Sequence, residues 1–326
     1  MQYVEVAGVR VSKIGLGCWQ FGSREWGYGR AYAADEAVKI TNKALDVGIN
    51  LIDTAEIYGF GQSERIVGRS IAGRRDEAFV ATKIWPLMPI APVVVNRGRR
   101  SARRLGIETI DLYQVHQANP VVPDAVTMDG MRRLQRDGVI RQVGVSNYSL
   151  GRWERAEAAL GSPVLSNQVE YSLAHRRPDR DLVPFAARND RLIIAYSPLA
   201  QGFLAAKYDA SHQPGGIRLT NPLFLEANLS RGQELLNTLR SVAEVHGATP
   251  AQVALAWVIR RRNVVAIPGA SSVDQLVRNA EAAELELTDD EDAHLTSASD
   301  QFQPLTGVAA APAWVSSRLS AAQHRQ

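Results

Sequence analysis

Four ionisable side chains of different kinds stand where a proton-transfer site would need them: Asp53, Tyr58, Lys83 and His116. Asn50-Leu51-Ile52 runs into Asp53, Phe79-Val80-Ala81-Thr82 into Lys83, and Leu112-Tyr113-Gln114-Val115 into His116. Short apolar runs of this length, bounded by turn residues, read as buried strands. Tyr58 follows the first of them, in Asp53-Thr54-Ala55-Glu56-Ile57-Tyr58-Gly59. Polar residues at the C-terminal ends of successive parallel strands meet at the mouth of a barrel. A carboxylate, a phenol, an ammonium and an imidazole gathered there could move a proton to or from a reacting oxygen. Each has a plainer reading alone: a capping aspartate, a surface lysine, a satisfied core histidine. Their shared place at strand ends of one face is what points to chemistry.

The elements that would position them alternate along the chain. Residues 3–6 and 9–11 read as a hairpin turning at Ala7-Gly8. Strand patterns follow at 14–16, 50–53, 79–82, 112–116, 140–145, 165–169, 192–196 and 264–267. Helical periodicity lies between them: a helix capped by Asp35 and stopped at Gly48, then 63–71, 93–105, 123–137, 150–160, 181–188, 233–246, 250–261 and 273–283. Strict alternation implies right-handed parallel crossovers. Eight strands predict an α/β fold of the (β/α)8 TIM-barrel kind, read as one domain over 1–326. A doubly wound open sheet shares the local pattern and is the competitor. Two stretches interrupt it. Residues 199–230, with Pro214, Gly215, Gly216 and Pro222, are too long for a plain connection and read as functional. The tail, 300–326, with Pro304, Gly307, Pro312 and Trp314, is expected either to fold over the mouth or to be partly disordered.

Composition narrows the class. The chain has 326 residues, 45% of them hydrophobic, enough for a sizeable core. Lys and Arg number 37 against 34 Asp and Glu, so the net charge of +3 gives little reason to expect nucleic acid. The single cysteine, Cys18, excludes an internal disulfide and fits a reducing, cytoplasmic compartment. The six histidines and Cys18 show no zinc-ligand spacing. The first residues carry no basic segment and no long apolar core, so no signal peptide is expected, and no run reaches the length of a membrane span.

Several motifs have bland readings. Gly15-Leu16-Gly17-Cys18-Trp19-Gln20-Phe21-Gly22, with Asp35 further on, resembles a dinucleotide loop, but its spacing is wrong and no helix opens after it. Arg97, Arg99, Arg100, Arg103 and Arg104 read as the solvated face of a barrel helix, because no aromatic is interleaved among them. Arg260-Arg261-Arg262 suits a helix C-terminus.

From residue 9 to about 283 the chain resembles the aldo-keto reductase family. The motifs are Gly15-Leu16-Gly17, Asp53-Thr54-Ala55 with Tyr58-Gly59, Thr82-Lys83, Asp111-Leu112-Tyr113 with His116, Gly144-Val145-Ser146-Asn147, Asn167-Gln168, Ala195-Tyr196-Ser197-Pro198-Leu199 and Ile267-Pro268-Gly269. Each is weak alone; their order and spacing together are specific. The resemblance implies a (β/α)8 barrel whose N-terminal hairpin closes the bottom, and NADPH-dependent reduction of aldehydes and ketones, with Tyr58 as general acid, Lys83 lowering its pKa, Asp53 holding Lys83, and His116 orienting the substrate carbonyl. It also implies a cofactor site. Gly17 and Trp19 belong to it. Ser146, Asn147 and Gln168 would bind the nicotinamide carboxamide, and Tyr196 would stack on the ring. Ser197, Leu199, Gln201 and Gly202 would close over the pyrophosphate. Gly269, Ala270, Ser271, Gln275 and Asn279 would meet the adenosine. Many relatives place a basic residue just after the Ile-Pro-Gly motif for the 2′-phosphate; here Ala270-Ser271-Ser272 stands there, so the serines with a helix N-terminus are left to bind the phosphate, Arg278 one turn on to add charge, and NADPH is expected over NADH. Trp19 and Trp85 would line the substrate pocket, and Cys18 is taken as a packing residue.

Two other functions remain open at this point: a cofactor-binding regulatory or sensor subunit with little turnover, and a barrel lyase or isomerase that binds no nicotinamide. The expected partner is a small carbonyl compound, with no nucleic acid and no membrane, the protein being a monomer or small homo-oligomer.

Overall fold

The computed structural model describes residues 1–23, 27–29, 33–209, 212–215, 218 and 220–307. A hairpin of β1 (Tyr3–Val6) and β2 (Val9–Ser12) comes first, antiparallel and turned at Ala7-Gly8. Eight parallel strands follow in the order of the chain: β3 (Leu16–Gly17), β4 (Leu51–Asp53), β5 (Phe79–Ile84), β6 (Ile110–Val115), β7 (Ile140–Ser146), β8 (Ser166–Glu170), β9 (Leu192–Tyr196) and β10 (Val264–Ala266). The intervening helices are α1 (Ala34–Asp46), α2 (Gln62–Ser70), α3 (Ala91–Leu105), α4 (Asp124–Arg136), α5 (Leu150–Leu160), α6 (Leu182–Arg188), α7 (Glu226–Arg231), α8 (Gln233–Val245), α9 (Pro250–Ile259), α10 (Val273–Glu281) and α11 (Asp289–Gln301).

The sheet closes on itself. Bridges join Ile14 to Ala266 and Gly17 to Gly269, with Gly15 N donating to Ala266 O at 2.7 Å and Gly17 N to Pro268 O at 3.1 Å. Gly17 is needed for this seam, because a Cβ there would lie 2.6 Å from Ile267 O. The fold is therefore the expected (β/α)8 barrel, and the open doubly wound sheet is excluded.

Two apolar layers hold it. Inside the barrel, Leu51, Ala81, Leu112, Leu165, Leu192, Ile194, Val265 and Ile267 pack on Val4, Val6 and Val11 of the hairpin, which stops the bottom as expected. The larger layer lies between strands and helices. Helix α9 illustrates its demands. It is apolar on every side, its residues 253–259 are all buried, and Thr249 and Gln252 close its start as a capping box.

Lys13 fastens the seam from below. Its Nζ donates to four carbonyls at the end of α9 and the start of β10: Ile259 O (2.9 Å), Arg261 O (2.7 Å), Arg262 O (2.8 Å) and Val264 O (3.2 Å). Burial lowers its pKa to about 8, which leaves the ammonium dominant at neutral pH. Lys13→Met would strand these acceptors, and a loss of about 3 kcal/mol or more in unfolding free energy is expected from denaturant titration. A loss under about 1 kcal/mol would show that water replaces the ammonium at no cost.

Some boundaries differ from the sequence reading. Asp35 does not cap α1; Ala33 holds that position, and Asp35 sits in the first turn, where its charge still suits the helix dipole. The first strand is residues 16–17, with Ile14 joined only by a bridge. Helices α7 and α11 were not anticipated. The described start of the tail packs on the long segment after β9: Phe302 stacks on Phe203 at 5.2 Å between ring centroids, and Asn228 bonds Leu305 through both N–H and C=O. Residues 308–326, with Pro312 and Trp314, lie outside the described residues.

Candidate active site

In a strand, side chains alternate faces, so every second residue of a barrel strand points inward. Asp53 on β4, Lys83 on β5 and Gln114 on β6 all take inward positions, and register places Lys83 beside Gln114. The glycine at 144 makes room for them: a Cβ there would meet Ser166 Oγ at 2.4 Å and Gln114 at 2.9 Å. The result is a polar layer above the apolar interior.

Lys83 is its centre and is wholly buried. Its Nζ donates to Asp53 Oδ1 (2.6 Å), Thr54 O (2.9 Å) and Tyr58 OH (3.3 Å). Asp53 is held from the other side by Gln168 Nε2 at 2.8 Å and Gln114 Nε2 at 3.3 Å. Burial disfavours the Lys83 ammonium, but Asp53 and Tyr58 together outweigh it and the pKa is raised. Tyr58 differs from expectation. Burial raises its phenol pKa more than Lys83 lowers it, so the net direction is upward. Tyr58 is thus a protonated phenol at neutral pH, with an ammonium at hydrogen-bond distance.

His116 follows β6. Its ring stands edge-on to Tyr58 (centroids 5.7 Å apart) and to Trp85 (5.3 Å). Burial first, and then Lys83, lower its pKa to about 3, so it is neutral at physiological pH. Its Nδ1 is buried without a partner in the described structure. The structure therefore brings all four proposed catalytic side chains to one end of the barrel. Trp19 is there too, 6.5 Å from the Tyr58 ring and largely exposed.

Of the expected cofactor residues, those after β7 to β9 gather beside this cluster. Tyr196 OH donates to Asn147 Oδ1 at 3.0 Å, Asn147 Nδ2 lies 3.1 Å from Ser146 Oγ, and Ser146 Oγ donates to Gln168 O at 2.8 Å. Tyr196 is thus fixed by its hydroxyl while its ring is only partly covered. Gln168 gives an amide N–H to Asp53, which ties it to the catalytic layer. After Tyr196, Ser197, Ala200, Gln201 and Gly202 all have positive φ, a tight turn following Leu199. At the last strand, a Cβ on Gly269 would stand 2.7 Å from Gln20 Oε1, so the Gln20 amide that packs there would have to move. Asn279 Nδ2 donates to Gly269 O (3.3 Å), and Ser271 N and Oγ both turn to Gln275 Oε1. Arg278 is exposed, and its guanidinium has no partner among the described residues.

Sequence reasoning missed Gln114, Gln20 and Glu56. Glu56 Oε1 accepts from Trp85 N at 2.6 Å and its carboxylate is held by Arg97 Nε at 3.0 Å, which ties the Tyr58 loop to the Trp85 loop. Gln114 could have been found by counting alternate residues back from His116. Arg97 and Arg104 correct the solvated-face reading: both are mostly buried and paired, Arg97 with Glu56 and Arg104 with the buried Glu64. Cys18 is buried with a pKa raised by burial, and is a packing residue. An open groove of about 1130 Å³ on the barrel flank, lined by Arg65, Arg69 and Arg104, touches none of the catalytic cluster. Among the described residues no cluster suits a metal ion, and no helix is long and apolar enough to cross a membrane.

The sequence profile of the aldo/keto reductase family matches residues 13–300. An uncharacterized oxidoreductase of Mycobacterium bovis is 55% identical over 307 residues, spanning 94% of this chain and 95% of its own. Among solved structures, a glycerol dehydrogenase from Gluconobacter oxydans superposes with a TM-score of 0.84 at 29% identity, covering 94% of this chain and 97% of its own. An aldo/keto reductase from Klebsiella pneumoniae, in complex with NADP and acetate, gives a TM-score of 0.73 at 30% identity, covering 90% and 94%.

Proposed function

The chain belongs to the aldo/keto reductase family and is an oxidoreductase, and from that premise we propose that it reduces aldehydes and ketones to alcohols with NADPH, Tyr58 acting as general acid. One observation carries the reading: a phenol kept protonated, 3.3 Å from an ammonium that is itself locked on a buried carboxylate. When bound, NADPH supplies a hydride to the carbonyl carbon. The protein's part is to deliver the proton and stabilise the developing negative oxygen. Tyr58 gives its proton to that oxygen, and the Lys83 ammonium stabilises the phenolate left behind. Neutral His116, with Nδ1 buried, presents its other ring nitrogen as a donor that orients the carbonyl. Asp53 keeps Lys83 charged and in place.

The residues fit the cofactor. The NADP complex of the Klebsiella relative supports its identity. Ser146, Asn147 and Gln168 would hold the carboxamide and Tyr196 the ring. Ser197, Leu199, Gln201 and Gly202 would hold the pyrophosphate, with Gly17 and Trp19 at its border. Gly269, Ser271, Gln275, Arg278 and Asn279 would hold the adenosine end, in one barrel domain covering 1–326. Trp19 and Trp85 would flank the carbonyl substrate. Steady-state NADPH oxidation with a simple aldehyde tests the reading, and binding of NADPH without turnover on any carbonyl would favour a sensor subunit instead.

Cofactor choice rests on Arg278. No basic residue stands at 270–272, and the unpaired Arg278 lies in α10 beside Asn279. A charge-assisted contact to the 2′-phosphate is worth about 1.5–3 kcal/mol, roughly ten- to a hundredfold in affinity. Arg278→Ala is expected to erase most of the preference for NADPH while leaving NADH affinity unchanged. Equal NADPH affinities of the two proteins would assign the phosphate to the serines and the α10 N-terminus alone.

A further inference from the structure

Nine large apolar side chains are exposed among the described residues, and all but Val126 and Val245 lie on the loops after β3 to β6, at the catalytic end. The loops after β5 and β6 hold the most continuous part. Residues 85–90 (Trp-Pro-Leu-Met-Pro-Ile) and 117–123 (Gln-Ala-Asn-Pro-Val-Val-Pro) contain no ionisable side chain. Leu87, Met88 and Val121 are 67%, 59% and 85% exposed.

This surface is built rather than loose. Each loop carries two prolines. Asn119 joins them, donating to Pro86 O at 2.7 Å and accepting from Val121 N and Val122 N. Arg152 anchors Asn119 O at 2.6 Å, and Thr127 Oγ1 anchors Pro89 O at 2.9 Å. Met88 is held at φ 49, a left-handed conformation costly for a side chain of its size. Asn119 gives one amide N–H and its carbonyl oxygen to these bonds, and the other polar side-chain groups of the two loops are the exposed Gln117 amide and the Trp85 indole N–H. The surface begins at the chemistry, because Trp85, at the root of the first loop, packs edge-on to His116 at 5.3 Å.

We propose that these two loops form an apolar shelf that receives the body of the carbonyl substrate, and that this substrate carries an extended apolar chain or ring system beyond its carbonyl rather than a run of hydroxyls. The proposal rests on the reductase reading above. Hydroxyls laid on the shelf would lose water and find few partners. A hydrocarbon chain would cover Leu87, Met88 and Val121 on a surface that need not reorganise.

The test is a series of straight-chain aldehydes, propanal to decanal, reduced with NADPH by the wild type and by the Leu87→Ser/Val121→Ser variant. For the wild type, kcat/KM should rise about two- to fourfold per added methylene over several carbons, mainly through KM, since full burial of a methylene is worth about fourfold. The variant should keep the wild-type value for propanal and lose about tenfold or more for decanal. A flat series with propanal turned over would overturn the shelf, as would equal loss on both aldehydes. So would a sedimentation experiment in which the wild type is a dimer and the variant a monomer, which would make the surface a subunit interface. If no carbonyl is turned over, the reductase reading fails separately. Tryptophan-fluorescence titration with decanol and propanol then judges the shelf: tighter decanol binding supports it and equal affinity overturns it.

Discussion

Replacing Tyr58 by phenylalanine is expected to lower carbonyl reduction by about 10²-fold or more, the usual contribution of a positioned general acid, while NADPH affinity stays nearly unchanged. The phenol oxygen is the one group in the cluster that combines a proton to give with an adjacent cation to stabilise what remains. Lys83 is too strongly held as an ammonium by Asp53 to surrender its own proton, and His116 is neutral. The pH dependence follows with a definite sign. Tyr58 must be protonated to act, and its pKa is raised above the ordinary phenol value, so reduction should fade only as pH rises above about 10. His116, lowered to about 3, contributes no inflection at neutral pH. A wild-type rate profile breaking near the ordinary histidine value, or a phenylalanine variant keeping more than about half the turnover, would remove Tyr58 from this role.

The strand-end residues were legible because a barrel gives them a geometric rule. Asp53, Lys83 and His116 each terminate an apolar run, and runs of that kind at the right spacing imply one shared face. Tyr58 was legible by proximity to Asp53, although its loop has left-handed residues at Gly59 and Phe60 that no periodicity reveals. What could not be read were contacts made across the barrel. Gln168 lies 115 residues from Asp53, and nothing local to either signals their hydrogen bond. The Lys13 cage joins residues separated by about the whole barrel for the same reason. Helix α11 was within reach, since Thr288 and Glu291 form a capping box, but its sequence Asp289–Gln301 lacks an obvious apolar stripe.

The electrostatic reading failed where the sign of a sum was needed. Sequence places a lysine near a tyrosine and suggests a lowered phenol pKa. Only the structure shows that burial of the ring is the larger effect. The arginines of α3 failed similarly: five basic residues on one helix look alike in sequence, yet Arg97 and Arg104 reach inward to Glu56 and Glu64 while Arg100 and Arg103 face solvent.

Lys83→Met should damage both rate and stability, and the two effects have separate causes. The side chain is fully buried, and removing its charge leaves Asp53 with only the amides of Gln114 and Gln168 in a site closed to water. Breaking a buried pair from one side costs about 3–5 kcal/mol, so a large drop in unfolding free energy is expected. The rate falls for another reason. Without the ammonium, the phenolate left by proton transfer has no partner, and Tyr58 loses the chief influence that lowers its pKa, so it becomes a weaker acid. Lys83→Met/Asp53→Asn separates the two: removing both charges should restore much of the stability and little of the rate. Recovery of the rate along with the stability would mean that Lys83 serves the fold alone and that Tyr58 needs no cation beside it.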